Sequence, residues 1–136
     1  MVEPGSRRDG DIREGVLMTK KILVVDDEPD VREFLCTYLE DVGYETRTAA
    51  DGMAAMDLIE GEKPDLILLD LMMPQETGTG LYRKLHHKKE FKDIPVIVIS
   101  GVAGRDVAVS KSVPVFDKPV DTKGLLAAVE RFIGRA

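Results

Sequence analysis

Asp26 and Asp27 follow a run of four aliphatic residues, Ile22 to Val25, and Asp70 follows another, Leu66 to Leu69. A third run, Val96 to Ile99, ends in Ser100 and Gly101, and an apolar stretch from Val113 to Phe116 ends in Asp117 and Lys118. If these ends meet in space, the residue types define a chemistry. Three clustered carboxylates repel one another, and without a cation one of them would have to hold a proton. A hard divalent ion relieves that repulsion. Mg²⁺ suits such a cluster better than a softer metal, because it takes a few carboxylate oxygens and keeps positions open for water and phosphate oxygens. Lys118 would add a positive charge, and Ser100 a hydroxyl able to donate to an oxyanion. A carboxylate flanked by a metal on one side and an ammonium on the other is what phosphoryl transfer to an aspartate requires.

For the ends to meet, the runs must be neighbouring strands. Unbroken aliphatic runs without polar alternation mark strands buried on both faces, as central parallel strands are. Glu45 to Thr48 is a weaker strand, and Val113 to Phe116 is the fifth. Helical patterns lie between them. Asp30 to Leu39 carries Val31, Phe34, Leu35, Tyr38 and Leu39 at helical spacing before Gly43. Met53 to Ile59 opens after Asp51, an N-cap, and closes before Gly61 and Pro64. A third helix is expected from about Gly80 to His87, and a last one over Thr122–Ile133 after Asp121, burying Leu125, Leu126, Val129, Phe132 and Ile133. The alternation predicts an α/β fold: a flavodoxin-like, doubly wound (βα)5 open parallel sheet of order 2-1-3-4-5, with the ligand site at the carboxyl ends of the strands. The fourth helix should be short, because Val102 to Ser110 leaves room for about two turns. Residues 1–18 show no periodicity and read as a flexible tail, so the domain is expected over 19–136.

Single residues also admit plainer readings. Asp27 could cap the first helix, Ser100 could shape a loop, and Lys118 could be a surface charge. Five such residues at the ends of their own strands favour a shared site. His86-His87-Lys88-Lys89, followed by Glu90 and Asp93, reads as a solvated helix end. Cys36, the one cysteine, sits in an apolar-periodic stretch and reads as a buried, inert thiol.

The segments Lys21-Ile-Leu-Val-Val-Asp-Asp-Glu-Pro-Asp, Leu68-Leu-Asp-Leu-Met-Met-Pro, Val96-Ile-Val-Ile-Ser and Asp117-Lys-Pro resemble the receiver domains of two-component response regulators, over about Thr19 to Ile133. The resemblance implies that Asp70 accepts a phosphoryl group from a phosphohistidine on a sensor histidine kinase or phosphotransfer protein. It implies Mg²⁺ held by Asp27, Asp70 and the backbone carbonyl of Met72, with Asp26 assisting through water. Ser100, Lys118 and the Gly101 amide would hold the phosphoryl oxygens, and the Lys118-Pro119 bond would be cis. Two positions depart from the family pattern. Thr77 stands where an acidic or amide residue often precedes the glycine, here Gly78. Val115 stands where an aromatic switch residue is common, and Phe116 beside it should face the opposite side of the strand. Output is then expected through a rearrangement of residues 101–112 rather than an aromatic rotation.

A net charge of −6 argues against a nucleic-acid surface, and no apolar run approaches the roughly 18 residues that span a bilayer. A cytoplasmic protein is therefore expected. A phosphatase or transferase with an aspartate nucleophile would need a second acid–base carboxylate soon after it, and residues 71–75 supply none. A receiver reduced to protein interaction would lack Asp27, Asp70 or Lys118. With the chain ending at Ala136, directly after the last helix, output is expected through an unidentified partner protein, with a homodimer possible in principle.

Overall fold

The computed structural model describes residues 19–101 and 112–136. Strands β1 (Lys21–Val25), β2 (Glu45–Ala49), β3 (Leu66–Leu69), β4 (Val96–Ser100) and β5 (Val115–Asp117) form one sheet. All its pairs are parallel, and its order is β2-β1-β3-β4-β5. The three aliphatic runs are the three central strands, and the two weaker stretches are the edges. Central strands are covered on both faces and read as unbroken apolar runs, whereas an edge such as β2 leaves most of its side chains in water.

Side chains alternate across the sheet and feed two cores. Leu23, Val25, Ile67, Leu69, Val96 and Val98 point to one face, against Ala55, Met56 and Ile59 of α2 (Gly52–Gly61) and Leu81, Tyr82 and Leu85 of α3 (Thr77–His87). Ile22, Val24, Leu66, Leu68, Ile97 and Ile99 point to the other, against Leu35 and Leu39 of α1 (Pro29–Asp41) and Leu125, Ala128 and Val129 of α4 (Thr122–Ile133). Each fully buried aliphatic side chain contributes roughly 1.5–3 kcal/mol. This double burial fixes the register, since a slip by one residue would exchange the two faces.

The helix caps follow the local chemistry. Asp51 accepts from the Ala54 amide at 2.8 Å and Asp121 from the Lys123 amide at 3.2 Å. At α1 the N-cap is Glu28 rather than Asp27, with Pro29 in the first turn, so Asp27 is left to other work. Four expectations need correction. β5 starts at Val115, two residues later than Val113, because Pro114 has no N–H to give the ladder; its carbonyl instead accepts from Val98. Helix α3 begins at Thr77, directly after a 3₁₀ turn over Pro74–Glu76, and includes two glycines that weaken the helical signal in the sequence. Of the residues expected to be buried by the last helix, Phe132 is 40% exposed and Leu126 and Ile133 are half-buried. Cys36 is half-buried, and burial raises its thiol pKa, in keeping with an inert role. His86 and His87 are exposed at the end of α3, and His86 lies against the Tyr82 ring. The expectations for residues 1–18 and for a fourth helix over 102–110 lie outside the described residues. Among the described residues no helix is long and apolar enough to cross a membrane.

Candidate functional site

The carboxyl ends of β1, β3, β4 and β5 converge as expected. The register does this directly. Asp26 N–H donates to the Ala49 carbonyl at 3.1 Å, Asp70 N–H to the Val25 carbonyl at 2.9 Å, and Lys118 N–H to the Ser100 carbonyl at 2.9 Å. The ladder bonds thus run one residue past the strands and lock the backbone of each functional residue to its neighbour. Asp26 and Asp70 are 2% and 3% exposed, and Asp27 is half-buried. One carboxylate oxygen from each of the three lies within 4.8 Å of the others.

The side chains are oriented individually. Asp26 Oδ1 accepts the Glu28 amide at 2.9 Å, and Asp70 Oδ1 accepts the Met72 amide at 2.9 Å. The other oxygens face Lys118, whose Nζ stands 2.9 Å from Asp26 Oδ2, 3.1 Å from Glu28 Oε1 and 3.3 Å from Asp70 Oδ2. The Asp26 contact is an ion pair without a well-directed hydrogen bond. Burial lifts the Asp70 pKa above the usual carboxylate range; Asp26 adds to this, while the Met72 amide and Lys118 pull the other way. Burial works against the charge on Lys118, but Asp26, Glu28 and Asp70 outweigh it and raise its pKa, so the ammonium is held charged. Ser100 is fully buried, and its hydroxyl oxygen has no hydrogen-bond partner among the described residues. Gly101 is half-buried, with no atom of the described residues within 4 Å of where a Cβ would stand, and Met72 is 48% exposed two residues after Asp70. The Lys118-Pro119 bond is cis, and Pro119 follows Lys118 on the same rim.

The site therefore brings together Asp26, Asp27, Asp70 and Lys118, with Ser100 tied to Lys118 through the backbone. Carboxylates outnumber the ammonium, and the buried Asp70 resists ionisation. A hard dication fits this set, because it would neutralise charge that Lys118 alone leaves unbalanced. Two residues that sequence reasoning missed also belong here. Glu28 pairs with Lys118, and Arg32 donates through Nη1 to the Asp26 carbonyl at 2.7 Å. The position of Glu28 directly after the acidic pair was a usable signal; Arg32 had none beyond its place one turn into α1.

The model of the response regulator receiver domain matches residues 22–130. The chain belongs to this family. Receiver domains are signalling modules of two-component systems rather than classical enzymes. The chain is 32% identical over 114 residues to protein Rrf1 of Nitratidesulfovibrio vulgaris, covering 84% of this chain and 83% of Rrf1. It is 35% identical over 125 residues to response regulator MprA of Mycobacterium bovis, covering 87% of this chain but 52% of MprA. The chain thus spans most of Rrf1 and about half of MprA. Chemotaxis protein CheY4 of Vibrio cholerae superposes with a TM-score of 0.72 at 26% identity, over 85% of this receiver and 99% of CheY4.

Proposed function

We propose that this receiver is a phosphoacceptor in a histidine-to-aspartate phosphorelay and that Asp70 carries the phosphoryl group. An Asp70 carboxylate oxygen attacks the phosphorus of a phosphohistidine on a sensor histidine kinase or phosphotransfer protein. The new P–O bond forms as the P–N bond breaks, and the electron pair returns to the imidazole. Asp26, Asp27, Asp70 and the Met72 carbonyl are the groups that would hold Mg²⁺, which would supply charge neutralisation at the phosphoryl oxygens. Lys118 takes the phosphoryl oxygens on the opposite side, Ser100 donates its hydroxyl, and the Gly101 amide completes the cradle.

One observation carries this reading: buried Asp70 and Asp26 share the Lys118 ammonium, and Ser100, at the end of the strand next to that of Asp70, is a buried hydroxyl with no hydrogen-bond partner among the described residues. A merely structural Ser100 would satisfy its hydroxyl, since a buried polar group without a partner costs about 1–3 kcal/mol. A phosphoryl oxygen would supply that partner. The phosphorylated state is read by a partner protein in the cytoplasm.

Incubation with acetyl phosphate and Mg²⁺ followed by intact-mass measurement tests the proposal. A single phosphoryl increment is expected. Steady turnover without an adduct would indicate an enzyme, and an unchanged mass would indicate a module that only binds partners.

A further inference from the structure

The Lys118 ammonium has three N–H donors, and three carboxylates surround it. Two of these cannot leave. Asp26 and Asp70 are buried and each is fixed through its second oxygen by a backbone amide. The third, Glu28, has a side chain 58% exposed and reaches Lys118 from the solvent side, 3.1 Å away. Glu28 is also firmly rooted. Its amide donates to Asp26, and its carbonyl accepts from Arg32 in the first turn of α1. Only its side chain is free to swing.

A phosphoryl group on Asp70 carries three acceptor oxygens and close to two negative charges. The donor that faces Asp70 can pass to one of those oxygens. The Glu28 carboxylate, however, would then share one ammonium with a dianion, and the two like charges repel across it. Of the groups on Lys118, Glu28 alone combines an exposed side chain with access to water, so it is the group that yields. We propose that Glu28 is a resident competitor for the Lys118 ammonium, a carboxylate that a phosphoryl group on Asp70 must displace, and that it thereby sets the affinity of the site for that group. This rests on the assignment of Asp70 as phosphoacceptor. Glu28 acts through Lys118 and is a positioning residue, not a catalytic one. It also lines the cleft formed with Val31, Phe34, Pro119 and Val120, so its release alters the rim of that cleft in the phosphorylated state.

The test is a beryllofluoride titration with saturating Mg²⁺, followed by NMR, on the whole chain and on Glu28→Gln and Asp30→Asn. Asp30 is an exposed carboxylate two residues on that lines the same cleft, so its neutralisation measures the general field effect. Glu28→Gln should bind beryllofluoride about two- to five-fold more tightly, the range for removal of a partly exposed ion pair, while Asp30→Asn changes affinity less than about two-fold. The Glu28 carboxylate carbon should shift in the wild type when beryllofluoride binds. Unchanged or weaker binding by Glu28→Gln, or equal tightening by Asp30→Asn, overturns the proposal; Glu28→Ala repeats the test should the glutamine variant fold poorly. If the wild type neither binds beryllofluoride nor gains a phosphoryl group on Asp70, the phosphoacceptor assignment falls and this proposal falls with it.

Discussion

Gly78 stands where α3 passes against the backbone that carries Asp70. A Cβ added there would lie 2.2 Å from the Asp70 carbonyl oxygen and 2.8 Å from the Leu71 Cα, well inside the 3.4 Å at which ordinary contact begins. The colliding atoms are main chain. They cannot step aside, because the Asp70 amide is bonded to Val25 and the Met72 amide to the Asp70 carboxylate. Gly78→Ala gains about 1 kcal/mol of helix propensity but incurs overpacking of about 3 kcal/mol or more, given that backbone must move. The net loss of about 2 kcal/mol corresponds to a Tm lower by roughly 6–12 °C for a domain of this size. Gly80, two residues along the same helix, is the control: a Cβ there meets nothing within 4 Å. Gly80→Ala should therefore gain about 0.5–1 kcal/mol and melt a few degrees higher. Thermal melts by far-UV circular dichroism separate the two. A Gly78→Ala protein as stable as wild type, or a Gly80→Ala protein that loses as much as Gly78→Ala, would refute the close-approach argument.

Three other outcomes are expected. Lys118→Met removes the cation between buried Asp26 and Asp70 and should cost about 3 kcal/mol in metal-free buffer, with millimolar Mg²⁺ restoring part of the loss in urea titrations. Asp70→Asn should raise Tm in metal-free buffer. The folded-state pKa of Asp70 lies above its ordinary 3.8, so its contribution to stability is present below 3.8 and lost as pH rises through the folded value. The gap between variant and wild type should thus widen from pH 4 to pH 7. Tyr44→Phe deletes the hydroxyl that donates to the Gly134 carbonyl at 2.6 Å and should cost about 1 kcal/mol. Burial, with Glu130, raises the Tyr44 pKa above 10.0, so wild-type stability should fall more steeply than that of the variant as pH climbs past 10.0.

Much of the architecture was legible because strong local signals coincide with global demands. The runs at Ile22, Leu66 and Val96 are apolar on every residue since both faces are covered, and the carboxylates follow them because parallel strands deliver their ends to one crevice. Asp51 and Asp121 announced their helices by the usual capping chemistry. What was not legible depended on tertiary context. Gln75 adopts a positive φ of 61° in the turn ahead of α3, which no local propensity required. The helix expected from about Gly80 starts at Thr77, and Gly78 is what lets its first turn approach Asp70. The exposure of Phe132 depends on how α4 packs on the sheet, and helical spacing alone does not reveal that. Val115 is 43% exposed while Phe116 packs into the core under α4, as the alternation along a strand required. The strand ends placed Asp26, Asp27, Asp70, Ser100 and Lys118 at one end of the sheet, and that is where the fold puts them. Glu28 escaped because its contact with Lys118, 90 residues away in sequence, depends on the tertiary fold.

The most direct test of Asp70 as the phosphoacceptor is intact mass and peptide mapping after acetyl phosphate, run on wild type and Asp70→Asn, each with Mg²⁺ and with chelator. A phosphoryl increment on the peptide containing Asp70, present only in wild type and only with Mg²⁺, is the expected result. An increment that persists in Asp70→Asn, or that maps to another residue in the wild type, would contradict the assignment.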